Sequence, residues 1–78
     1  MINAYKCSPL TVGRALLRLR RRAGYTQSQL ADRVSETTTM LWEAGTVSRL
    51  ERGANGQSLR LIAAYCDACG ADVAEVFT

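Results

Sequence analysis

Seventy-eight residues leave room for one domain and one small core, and a hydrophobic fraction of 47% is enough to build it. No run approaches the ~18 apolar residues of a membrane span and no signal-like segment opens the chain, so a cytoplasmic protein is expected. Histidine is absent, which removes the commonest general base and zinc ligand, and three cysteines make an odd number unsuited to a disulfide framework.

The net charge of +3 is unevenly spread. Residues 1–60 hold all ten Lys and Arg against four acids, giving +6, whereas residues 61–78 hold three acids and no cation, giving −3. Nine of the ten cations are Arg, a side chain suited to bidentate contact with phosphate and guanine. This distribution suggests a polyanion on one face, although many ordinary domains are as basic.

After a short arm, Met1–Cys7, the Ser8-Pro9 pair offers an N-cap and a Pro at the first helical position; Thr11 is an alternative cap, which makes residues 1–10 the arm. Val12, Ala15, Leu16, Leu19 and Ala23 then repeat as one apolar face, and Gly24 stops the helix. Arg14, Arg18, Arg21 and Arg22 fall on the opposite side, either as a solvated stripe or as a backbone contact. Thr26-Gln27-Ser28-Gln29 reads as a capping box for a second helix, about Gln27 to Val34, with Leu30, Ala31 and Val34 inward.

Ser35 to Trp42 carries three consecutive Thr, poor helix formers, and resists assignment. A third helix runs through Val47 and Leu50 and ends at Gly53. Ser58 caps a fourth, whose stripe is Leu59, Ile62, Ala63, Cys66 and Cys69, stopped by Gly70. Asp72 to Glu75 is a further capping box, opening a short fifth helix through Val76 and Phe77. Cys66 and Cys69 sit on the fourth helix's apolar stripe, which favours core thiols over a metal site, and no metal or cofactor is expected. Tyr5, Tyr25 and Tyr65 read as packing residues; Trp42 reads as a core plug in preference to a partner contact.

Two charges fall where apolar residues belong. Arg20 lies four residues after Leu16 and one after Leu19; Glu51 lies four after Val47 and one after Leu50. A charge buried alone costs several kcal/mol, so each needs a partner, and a bidentate pair between them satisfies both. The alternative is that both side chains snorkel to water.

With these residues in place the chain resembles the XRE family of helix-turn-helix regulators, the group of phage repressors and Cro proteins. The similarity lies in VGRALLRLRRRAGYTQSQLA at 12–31, TVSRLERG at 46–53 and SLRLIAAYCDACGADVAEVF at 58–77, in the family's order. It implies an all-α, five-helix, lambda-repressor-like domain over residues 11–78, nucleoid-associated, and it too pairs Arg20 with Glu51. It further implies that the second helix crosses the DNA backbone while the third enters the major groove. By that resemblance Gln27, Arg52 and Asn55 contact phosphate, and Ala44, Gly45, Thr46, Ser48 and Arg49 face the bases. Arg49 is the strongest reader, with guanine as its target.

The chain departs from the family in length, with about six extra residues between Val34 and Val47 that lengthen the connection between helices two and three. Trp42-Glu43-Ala44-Gly45 permits a rival register in which Thr37, Thr38 and Thr39 would read bases; the spacing from Gly53 to Leu59 favours the later one.

No nucleophile has a base beside it and no acid pair is placed for catalysis, so an enzyme is not expected. The resemblance implies a regulator, a repressor binding a palindromic double-stranded DNA operator as a homodimer. Val73, Val76 and Phe77 are the apolar dimer candidates. The alternatives are an autoregulating antitoxin with a toxin partner, or an adaptor whose insertion binds protein and leaves little DNA affinity.

Overall fold

The computed structural model describes residues 8–54 and 57–77. Four α-helices follow one another, α1 Pro9–Ala23, α2 Gln27–Thr37, α3 Ala44–Glu51 and α4 Leu59–Ala68, and a 3-10 turn, Val73–Val76, closes the order. The fifth helix expected from the sequence is thus a single turn. Asp72 caps it and Phe77 ends it, leaving the four residues Val73–Val76, enough for one 3-10 turn. Within the described residues no helix is long and apolar enough to cross a membrane.

Local signals set most boundaries. Ser8 Oγ accepts from Thr11 N at 3.2 Å and Pro9 takes the first helical position. Thr26 and Gln29 form a reciprocal capping box, Gln29 N donating to Thr26 Oγ1 at 3.1 Å and Thr26 N to Gln29 Oε1 at 2.8 Å.

The segment that resisted assignment resolves into an added turn of α2 followed by a bracketed loop. Thr37 Oγ1 donates to Arg33 O at 2.9 Å and Thr38 Oγ1 to Val34 O at 2.8 Å, so both hydroxyls turn back onto the helix. The loop beyond is closed by one side chain. Ser35 Oγ accepts from Trp42 N at 2.9 Å and donates to Trp42 O at 3.3 Å. That bracket places the Trp42 indole in the core, 7% exposed.

Leu16, Leu30, Val34, Val47, Tyr65 and Cys66 are the largest fully buried side chains, one or more from each α-helix. The inward face of α4 is rotated from the expected stripe. Ile62, Ala64, Tyr65, Cys66 and Ala68 are buried, Ala63 and Cys69 are half-buried, and Leu59 is 66% exposed. Leu59 opens the helix at the rim of the bundle, and Tyr65 is drawn inward by a polar partner described below. Ala23, at the last position of α1, is exposed rather than core.

Two glycines let α1 approach the end of α3. A Cβ on Gly13 would lie 2.3 Å from Glu51 O, so only hydrogen fits there. Gly53 follows α3 at φ 72°, a conformation that favours glycine, with the backbone of Pro9 and Leu10 against it. Gln57 Nε2 ties the same corner, donating to Leu50 O at 2.7 Å and Pro9 O at 3.1 Å.

Candidate nucleic-acid interface

Helix α3 divides sharply between an inner and an outer side. Val47, Leu50 and Glu51 are buried, while Gly45 and Arg49 are exposed and Ala44, Thr46 and Ser48 are half-exposed. Its C-cap, Arg52, is also exposed, its Nε donating to Ser48 O at 3.4 Å. Gly45 leaves the outer side bare, and a Cβ there would lie 3.9 Å from Arg49 Nη1. The Arg49 guanidinium therefore reaches back one turn along the helix, over ground that a longer residue at 45 would occupy.

The orientation of α3 is fixed from its inner side at Glu51. Arg20 of α1 grips the carboxylate with two bonds, Nε to Oε2 at 2.7 Å and Nη2 to Oε1 at 3.1 Å. The same guanidinium donates to Tyr25 O at 2.9 Å, holding the turn between α1 and α2. Gln27 of α2 donates Nε2 to Oε1 at 3.0 Å, and the Tyr65 hydroxyl of α4 donates to Oε2 in a short bond. One carboxylate thus joins all four helices.

Burial alone would raise the Glu51 carboxyl; hydrogen bonds from Arg20, Tyr65 and Gln27 outweigh it and hold the group below the usual carboxylate range. Burial, and then the bond to Glu51, push the Tyr65 phenol far above its ordinary value, so it stays a donor at all working pH. The bond that Arg20 donates to Glu51 raises the guanidinium further, and its charge is permanent.

Tyr65 is the residue that sequence reasoning assigned to packing alone. Position alone, three residues after Ile62 and beside Cys66, permits burial, and a buried tyrosine hydroxyl needs a partner; which partner is set by the tertiary contact with Glu51. Gln27 also differs in its setting from the sequence expectation. Its amide nitrogen is engaged with Glu51, leaving one further N–H for another acceptor. Asn55 lies outside the described residues.

Of the arginines on α1, Arg14, Arg18 and Arg21 are exposed, and Arg22 pairs with Glu75 at 3.0 Å. Val76, expected at a dimer interface, is 5% exposed and belongs to the core, where the last turn folds it against α1 and α4. Val73 and Phe77 are half-buried against the same core. Cys66 and Cys69 are free thiols pushed up to about 11, chiefly by burial, which keeps them protonated and poor nucleophiles.

Short helices, a capped α2 packed against α3, and α3 held with its outer side bare define a helix-turn-helix domain. A family model described as a helix-turn-helix domain matches residues 11–76, and the chain belongs to that family. Among solved structures the chain is similar to the clp gene regulator ClgR from C. glutamicum, with 35% identity and a TM-score of 0.75 over 88% of this chain and 81% of that one. These two findings support the resemblance to XRE regulators read from the sequence. No curated protein sequence matches the chain.

Proposed function

We propose that the protein is a sequence-specific regulator of transcription that binds double-stranded DNA through α3, acting as a repressor and as a homodimer on a palindromic operator. The observation that carries this reading is the outer side of α3, where an unobstructed Arg49 stands on a helix clamped from behind by Arg20, Gln27 and Tyr65. A rigid helix with one long cationic donor suits guanine O6 and N7 in the major groove. Ala44 offers its methyl to thymine, and Gly45, Thr46 and Ser48 complete the base-facing side.

Arg52, Asn55 and Gln27 hold phosphates in this reading, Gln27 through its second amide hydrogen. The similarity to a clp gene regulator favours gene control as the output. The site of action is then the cytoplasm, on the nucleoid. The test is a titration against the DNA upstream of the protein's own gene at two salt concentrations. Specific binding that weakens steeply with salt supports the reading; failure to bind any duplex contradicts it.

A further inference from the structure

The loop added between α2 and α3 creates a surface that shares only Thr46 with the base-facing side of α3. Two adjoining grooves lie between this loop and α4, and both are walled by Met40 and Arg60. Leu41, at the loop's tip, is 92% exposed. Arg60, Ala63 and Asp67 form one stripe along α4 at helical spacing, and all three line the larger groove. Among the described residues neither Arg60 nor Asp67 has an ion-pair partner.

The arrangement of charge selects the occupant. Asp67 and Asp72 on the same groove repel a phosphate backbone, which argues against nucleic acid here. The stripe instead reads positive to negative about a midpoint beside the small Ala63. A two-fold axis through that midpoint brings positive onto negative twice, the self-complementarity that an isologous contact requires. Alanine at the centre allows two helix axes to approach to ~8 Å.

We propose that this face is where a second copy of the chain docks, α4 antiparallel to α4, with Arg60 of each copy facing the partner's Asp67. Met40 and Leu41 supply apolar cover at the ends of the contact. The proposal rests on the homodimer reading above and centres its interface on α4 and the inserted loop, with Val73 of the last turn at the groove's edge and Val76 left in the core.

Sedimentation equilibrium on the full chain without DNA tests it. The unaltered protein sediments as a dimer. Arg60→Asp and Asp67→Arg each keep the helical circular-dichroism spectrum, because both side chains are exposed, and each weakens self-association at least about tenfold. An equimolar mixture of the two variants recovers dimer, since every facing pair is again of opposite sign. Single variants that dimerise like the parent, or a mixture that stays monomeric, overturn this surface while leaving the homodimer intact. A parent protein that is monomeric at every concentration overturns the homodimer reading and this surface together.

Discussion

Tyr65 on α4 donates its hydroxyl to the Glu51 carboxylate on α3, inside the protein and beside the Arg20 guanidinium. The contact ties the helix that supports the bundle to the helix that faces outward. Removing the hydroxyl leaves Glu51 with its bonds to Arg20 and Gln27 but strips one donor from a buried charge. Tyr65→Phe is therefore expected to fold and to lose about 1.5–3 kcal/mol of stability, the range for a hydrogen bond to a charged group. Urea denaturation at neutral pH measures it; a loss under about 0.5 kcal/mol would show that the bond contributes little.

The same carboxylate gives stability a defined dependence on acid. Glu51 has a folded pKa below its ordinary 4.5, so its contribution is present above that value and is lost as pH falls through the lower, folded one. Stability should decline from about pH 4.5 downward, and Glu51→Gln should flatten the decline as well as lower stability at pH 7. Glu75 shifts in the same direction, first through its bond from the Asp72 backbone and then through Arg22, so Glu75→Gln is the control. If Glu51→Gln keeps the full acid dependence, another group carries it.

The bracket from Ser35 to Trp42 makes the inserted loop a specific structure. Ser35→Ala leaves the Trp42 N–H and C=O without that partner and should cost about 1–2 kcal/mol. Trp42 is the only tryptophan, so its fluorescence reports the change directly. A red shift in the folded variant is expected as the indole meets water. An unshifted spectrum with unchanged stability would mean the loop is held by other contacts.

Features coded within a few residues were legible in the sequence. Ser8-Pro9, the Thr26 to Gln29 box and the stops at Gly24, Gly53 and Gly70 each involve neighbours, and each sets a helix end in the structure. The added turn of α2 was hidden because Thr37 and Thr38 are poor helix formers in isolation, and the loop beyond depends on Ser35 reaching seven residues ahead. Periodicity alone puts Leu59 and Ala63 on one stripe with Ile62, whereas the structure leaves Leu59 exposed at the rim and Ala63 half-buried. Glu51 draws Tyr65 inward, and that contact is tertiary. Of the outer site, the residues on α3 could be named from sequence, whereas the room that Gly45 leaves for Arg49 became visible only with the side chains in place.

Base preference in the Arg49→Ala variant is the most direct measure of whether α3 reads DNA. Selection from a random duplex library, with parent and variant in parallel, should show one guanine position losing about 1–3 kcal/mol of discrimination in Arg49→Ala. Arg52→Ala should instead weaken binding to all sequences alike. If Arg49→Ala selects the parent's sequence unchanged, while Thr38→Ala or Thr39→Ala abolishes selection, the reading surface is the inserted segment and α3 is not the recognition helix.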